Sequence, residues 1–329
     1  MTTPQTPQGF RRILVPVRSS ANGSSADDMA TVRHADAFAA KSEAQLTLIG
    51  VVEPPADLER MAHAAGLSPD EVMQRLCDAR RRDIAEVTAS APLSTEPTIE
   101  IRTGKTFIEV IRAVHQGGYD LVIKTAEKIS GLRAFIFAST DQHLLRKCPV
   151  PVWLRIPGKP RATRAVLAAV DVDTEAAAEP ETQEALNYVI LQTALAIAAF
   201  EEASLEVLHV WDAPGEALIT RWATAKDDVV RYRDSVESAH NRALHALVDA
   251  VTRNAPAHPP VVPRLVRGIA RDVIPEHAEH SKAGVLVMGT LARTGVPGLL
   301  IGNTAEDVLH RVDCSVITVK PPGYVSPIA

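Results

Sequence analysis

The residues best suited to chemistry form the run Gly289-Thr-Leu-Ala-Arg-Thr-Gly-Val-Pro-Gly-Leu-Leu-Ile-Gly-Asn-Thr304, which follows the apolar Val285-Leu-Val-Met288 and precedes a helical pattern from Ala305 to Arg311. An apolar strand, a Gly-rich loop and a helix start are the parts of a phosphate cradle. Glycines let an anion approach the backbone, and the first N–H groups of the helix have no partner within it. A plain strand-to-helix connection uses glycines as well, so the loop alone leaves both readings open.

Other constellations carry less. Asp141-x-His143-x4-Cys148 offers three metal-ligand types, but it reads better as a capped helix leading into a buried cysteine, because Cys314 has no histidine at the matching spacing. His277 and His280 share a helix face without a third ligand, and Arg80-Arg-Arg82 reads as a solvated basic face. There is no Gly-x-Ser-x-Gly elbow, no Gly-Lys-[Ser/Thr] P-loop and no His-Ile-Gly-His adenylyl-transfer motif. No catalytic nucleophile is visible, and slow ATP hydrolysis is the most that an enzyme reading carries.

The elements that position these residues belong to a folded chain. Of 329 residues, 46% are hydrophobic and 23% charged, enough for two ordinary domains. A net charge of −5 and only 4% aromatics exclude a general nucleic-acid affinity and leave an aliphatic core. The first twelve residues lack the apolar segment of a signal peptide, and Val189–Phe200 falls short of the ~20 residues of a membrane span. Cys77, Cys148 and Cys314 show no C-x-x-C spacing and read as reduced thiols, so a cytoplasmic protein is expected.

Apolar runs predict strands at 11–17, 45–52, 98–102, 120–124 and 150–154, with helices at about 27–41, 68–90, 106–115 and 141–146 between them. Ser68-Pro-Asp-Glu71 is a helix-start signature. After the Pro-rich linker at 157–160 the order begins again. Strands are expected at 165–170, 205–211, 261–267, 285–288 and 315–320, with helices at about 181–201, 227–251, 272–282 and 304–312. Strands alternating with helices imply parallel sheet covered on both faces.

Ile13 matches Val166, Gly104 matches Gly268, Leu121 matches Leu286 and Cys148 matches Cys314, at a separation that only grows along the chain. A repeat of about 160 residues is a duplicated domain rather than a solenoid. The expected domains are 1–156 and 161–329.

Each half resembles a universal stress protein domain. The resemblance rests on an Ile-Leu-Val-Pro-Val first strand, a Gly before a helix, the Leu-Val-Met-Gly-Thr junction at 286–290 and a closing Cys-x-Val-x-x-Val-Lys-Pro strand from Cys314. Thr140–Trp153 and Gly302-Asn-Thr-Ala-Glu306 are similar to the tandem universal stress protein E group in particular. The resemblance implies an α/β chain of two Rossmann-like, doubly wound domains, each with a five-stranded, mostly parallel sheet in the order 3-2-1-4-5. It also implies stress-related regulation and dimer-like pairing of domains, with a homodimer in view.

ATP-binding members carry Gly-x2-Gly-x9-Gly-[Ser/Thr], and here the second half reads Gly289-x2-Ala292-x9-Gly302-Asn303-Thr304. The first and third glycines match, the second is Ala292, and the hydroxyl arrives one place late. By the resemblance, the first strand brings Ala169, Val170 and Asp171 to an adenosine, and the Val210 backbone reads adenine. Met288, Gly289, Thr290, Arg293, Gly302, Asn303 and Thr304 line the phosphates of ATP or another adenine nucleotide, with Mg2+ as an accompanying ion. In the first half Lys124 replaces the first glycine and Arg18 falls in the region of the Asp, so that half is expected to have lost the cradle. The leading expectation is a non-enzymatic, nucleotide-responsive regulator. The alternatives are a protein-interaction scaffold without nucleotide and a weak ATPase.

Overall fold

A computed structural model of the chain describes residues 9–18, 26–90, 92–127, 139–156, 165–173, 177, 179–222, 226–253, 255, 258–290 and 302–328. Its contacts divide into two compact units.

The first repeat runs β1 (Arg12–Pro16), α1 (Ala26–Ser42), β2 (Gln45–Val52), α2 (Leu58–Ala65), α3 (Pro69–Ser90), β3 (Thr98–Thr103), α4 (Thr106–Gly117), β4 (Leu121–Thr125), α5 (Ser139–Lys147) and β5 (Val152–Arg155). All pairings are parallel, in the order β3-β2-β1-β4-β5. Ile13, Leu14, Leu48, Ile49, Leu121, Val122 and Ile123 are fully buried, as central parallel strands covered on both faces require. The start of α3 is a capping box: the Glu71 N–H donates to Ser68 Oγ at 3.2 Å and the Ser68 N–H donates to Glu71 Oε2 at 2.7 Å. The short helix α2 was not expected from the sequence. It sits between the Pro54-Pro55 break and Gly66, whose left-handed φ of 65° closes it.

The second repeat runs β6 (Ala165–Val170), α6 (Pro180–Glu201), β7 (Ser204–Trp211), α7 (Glu216–Trp222), α8 (Lys226–Thr252), β8 (Val261–Arg267), α9 (Ala270–His280), β9 (Val285–Gly289), α10 (Asn303–Arg311) and β10 (Ser315–Val319). Its parallel strands lie in the order β8-β7-β6-β9-β10, the same order as in the first repeat. Pro263 is accommodated because β8 ends that run and pairs only with β7 among the described strands. The small helix α7 was again not expected; it fills the place that α2 fills in the first repeat.

Matching glycines close both third strands. Gly104 (φ +138°) donates to Val52 O at 3.0 Å, and Gly268 (φ +154°) donates to Trp211 O at 2.9 Å. A Cβ at Gly268 would lie 2.7 Å from Val273 Cγ2, so both conformation and space require glycine. The Gly-to-apolar layout shared by the two sequence halves therefore has one structural cause.

His34 on α1 packs edge-on against Trp153 of β5, ring centroids 4.9 Å apart. Burial, reinforced by the Arg155 guanidinium, lowers its pKa from 6.5 to about 3. Below pH 6.5 the unfolded chain therefore takes up a proton that the folded chain refuses, and stability falls as pH drops towards 3. The expected slope from this group is about 1 kcal/mol per pH unit. Urea unfolding at pH 7 and pH 4.5 checks it: His34→Gln must lose less stability over that interval than the parent chain.

Candidate functional site

In the second repeat the carboxyl ends of β6, β7 and β9 open onto a cleft of about 710 Å3. It lies where the connections from neighbouring strands diverge, the place at which open α/β sheets leave a crevice. Ala169, Val170 and Asp171 enter from the end of β6, Val210 from β7, Met288 and Gly289 from β9, and Gly302, Asn303 and Thr304 from the start of α10. Residues brought together from these segments are most of those picked out in the sequence. Two others differ. Thr290 does not line the cleft: it is buried, its hydroxyl accepts from the Lys320 ammonium, and its carbonyl accepts the Gly302 N–H at 3.0 Å. Thr290 thus ties the two ends of the Gly-rich loop together. Arg293, with Ala292, Gly295 and Gly298, lies outside the described residues.

Gly289 is small for a packing reason, since a Cβ there would stand 2.8 Å from Leu186 Cδ2 on α6. Gly302 adopts ordinary extended backbone (φ −65°, ψ 141°) and has no side chain to cap α10. The first turn of α10 therefore presents its backbone donors at the cleft uncapped, at the positive end of the helix dipole. Across the cleft Asp171 is fixed through its backbone. Its N–H donates to Asn187 Oδ1 at 3.0 Å, its carbonyl accepts from Asn187 Nδ2 at 2.6 Å, and its carboxylate accepts the Asp173 N–H at 3.3 Å.

The cleft also holds residues that the sequence did not single out. Asp173, Gln183, Trp211, Asp212 and His240 line it. Behind them His209 of β7, 1% exposed, places Nε2 3.0 Å from His240 Nδ1 and Nδ1 3.2 Å from Val170 O. Burial pushes the His209 pKa down, opposed by the Val170 carbonyl and the Asp171 charge. The alternation of β7 signals that His209 points opposite to Val210. Nothing in the sequence signals that α8, a distant element, supplies its partner.

The first repeat has a cleft of about 620 Å3 in the same place, lined by charges that include Arg18, Arg80, Lys124 and Glu127. Lys124, 1% exposed, contacts Asp141 Oδ1 at 2.7 Å and Glu127 Oε1 at 2.6 Å. The Glu127 N–H donates to the other Asp141 oxygen at 2.7 Å. Burial pushes the Asp141 carboxyl up, against the pull of the Lys124 ammonium. Arg18 pairs with Asp28 at 3.0 Å.

Strand register corrects one sequence-based correspondence. Ile13 pairs with Leu121 and Val166 with Val285, so Leu121 corresponds to Val285 rather than Leu286. Thr125 then stands at the position of Gly289, and Lys124 at that of Met288. Thr125 donates to Thr31 Oγ1 of α1 at 2.9 Å, where its counterpart has no room for a Cβ. The bonds that close α5 and α10, Cys148 N–H to Leu144 O and Val312 N–H to Val308 O, likewise match Asp141 to Ala305, and they correct a second correspondence by placing Cys148 at Val312 rather than at Cys314. A buried ion pair in one half is thus an apolar Met288–Ala305 pair in the other. The three metal-ligand types around α5 disperse as well: Asp141 engages Lys124, His143 stacks on Phe107 at 4.1 Å, and Cys148 is buried. Among the described residues no group of three His, Cys, Asp or Glu could hold a metal ion, and no helix is long and apolar enough to cross a membrane.

Comparison with known proteins agrees with the doubled architecture. The sequence profile of the universal stress protein family matches residues 9–154 and again 162–320. Universal stress protein E of Escherichia coli K12 is 32% identical over 269 residues, which cover 80% of this chain and 81% of that protein. A universal stress protein E homolog of Haemophilus influenzae is 30% identical over 63% of this chain and 64% of its own. Among solved structures, a functionally unknown Pseudomonas aeruginosa protein, PA1789, superposes with a TM-score of 0.64 at 24% identity, covering 95% of this chain and 94% of its own.

Removing one partner of the first-repeat ion pair leaves a buried charge without compensation. Lys124→Met is expected to destabilise the chain by about 3–5 kcal/mol, and Lys124→Met with Asp141→Ala, which copies the second repeat, to recover most of it. Chemical unfolding of four chains, the parent, Lys124→Met, Asp141→Ala and the double variant, gives the coupling. Equal, additive losses would exclude the pairing.

Proposed function

The chain belongs to the universal stress protein family, and from that premise we propose that its second repeat is a nucleotide-responsive regulatory site for ATP or another adenine nucleotide. One observation carries the reading: an uncapped helix start at Gly302-Asn303-Thr304 and a fixed carboxylate at Asp171 lie on one cleft at the carboxyl ends of parallel strands. Its volume, about 710 Å3, falls in the range of small-molecule sites. Ala169, Val170, Met288 and the backbone at Val210 supply the apolar and backbone surface suited to a base and ribose. Gly289, Gly302, Asn303 and Thr304 supply backbone donors suited to phosphates, and the Arg293 guanidinium would add a charge-assisted contact. Mg2+ would accompany a triphosphate.

The first repeat cannot offer the same chemistry. Lys124, Asp141 and Glu127 already occupy each other where a phosphate would need donors, and Arg18 stands where the second repeat has Asp171. We assign this half a supporting role, in a cytoplasmic stress-response protein of domains 1–156 and 161–329 whose repeats pair and which can form a homodimer. Nucleotide would act by favouring one packing state over another. No side chain of the cleft is placed as a nucleophile, and no hydrolytic step is assigned.

Calorimetric titration of the full chain with ATP and with AMP tests the assignment. Gly302→Val, which puts a branched side chain at the helix start, and Asp171→Ala are each expected to weaken binding about tenfold or more. An absence of heat at millimolar nucleotide would leave the scaffold reading. Phosphate release above a no-protein control, lost in both variants, would instead establish an ATPase.

A further inference from the structure

The proposed nucleotide site does not use the histidine pair behind it, and that pair is wired to the segment bearing Asp171. His209 Nδ1 faces two backbone groups with opposite demands: the Val170 carbonyl at 3.2 Å, which needs a donor, and the Val172 N–H at 3.4 Å, which needs an acceptor. One nitrogen cannot serve both at once. The other nitrogen, Nε2, meets His240 Nδ1 at 3.0 Å, and His240 lines the cleft.

The pair therefore has two arrangements. When His240 carries its proton on Nδ1, it donates to His209 Nε2, and His209 Nδ1–H donates to Val170 O. When His240 Nδ1 is bare, His209 Nε2–H donates to it, and His209 Nδ1 accepts the Val172 N–H. The protonated imidazolium of His240 is compatible only with the first arrangement. The two backbone groups belong to the peptides on either side of Asp171, both already tied to Asn187, so the tautomer of His209 sets which of the two gains a further bond.

The first repeat shows what the pair replaces. Register places Gly50 where β7 has His209, because Ile13 pairs with Leu46 and Val166 with Leu205. A Cβ at Gly50 would lie 2.7 Å from Ile84 Cδ1 and 3.0 Å from the Arg80 side chain. Arg80, expected on a solvated basic face, is buried instead: it lies over that glycine and donates to Val17 O, the counterpart of Val170 O. A guanidinium holds this carbonyl in one permanent state. An imidazole at the equivalent point holds it in two.

We propose that His209 and His240 form a proton relay that links occupancy of the second-repeat cleft to the Asp171 segment, so that an adenine nucleotide binds with uptake of a proton on His240. This rests on the nucleotide reading above. An anion in the cleft favours the imidazolium, and the imidazolium selects the arrangement in which His209 donates to Val170 O. Among the described residues, Asp171 and Asp173 from the segment after β6 act on His209, and Asp212, next after β7, lines the same cleft as His240. Arg267 of β8 stacks over Trp211 at 5.8 Å and is compensated by Asp212 and Glu216.

Two measurements on the full chain test the relay. Calorimetry with ATP in two buffers of different ionisation enthalpy, between pH 6 and 8, is expected to show proton uptake and binding roughly tenfold tighter at the lower pH. His240→Gln must remove both, leaving only the protonation of ATP itself, which the variant measures directly. Identical proton uptake in parent and variant would overturn the relay. Imidazole 15N NMR of the ligand-free chain is independent of nucleotide binding. His209 is expected to change tautomer in the same pH step in which His240 titrates. A single His209 tautomer from pH 5.5 to 8.5 sinks the proposal, whether or not nucleotide binds, whereas a tautomer change in a chain that binds no nucleotide retains the relay and removes only its assigned ligand.

Discussion

The parallel pairing of one strand with neighbours on both sides governs what each repeat can do. β1 pairs with β2 and β4, and β6 with β7 and β9. The helices that follow the central strands must leave towards opposite faces, so a crevice opens where their paths part. The backbone groups at the end of the central strand have no ladder partner beyond that point and must find another donor. Val17 O finds Arg80, and Val170 O finds His209. The same unpaired strand end thus creates the cleft and recruits a polar side chain to its floor.

Each repeat meets this requirement with the volume available. Gly50 lets α3 approach β2 closely enough for Arg80 to lie across the strand. In the second repeat α8 keeps a larger distance, and the two imidazole rings, 5.0 Å apart, fill it. A second exchange follows the same pattern at the next strand, where Lys124 and Asp141 in one repeat correspond to Met288 and Ala305 in the other. Lys124 and Asp141 stand or fall together because the two charges touch, as do the rings of His209 and His240.

Much of this was legible in the sequence. Unbroken apolar runs such as Val285-Leu-Val-Met288 mark buried parallel strands, and the repeated Gly104 and Gly268 mark the same positive-φ closure twice. Asp171 and Gly302 were recoverable because they sit next to strand and helix ends, where register is short-range. The short helices α2 and α7 escaped notice because a double proline and a Pro-Gly turn look like loop. His240 escaped because its partner lies on another element, and no local pattern encodes that contact. Lys124 was matched to Gly289 for a different reason. Sequence similarity in a short apolar run cannot distinguish neighbouring registers, and a one-residue slip exchanges the two faces of the strand.

The first-repeat ion pair has a consequence for descent. The apolar Met288–Ala305 arrangement and the buried Lys124–Asp141 pair are both self-consistent, but the sequences between them are not, since losing Lys124 alone strands the Asp141 carboxyl in a dry interior. The two repeats are therefore separated by a valley rather than a slope. A lineage that acquires the pair gains no easy route back to the apolar arrangement of the second repeat. Duplication eases that constraint: one copy can carry the charged pair while the other keeps the apolar one.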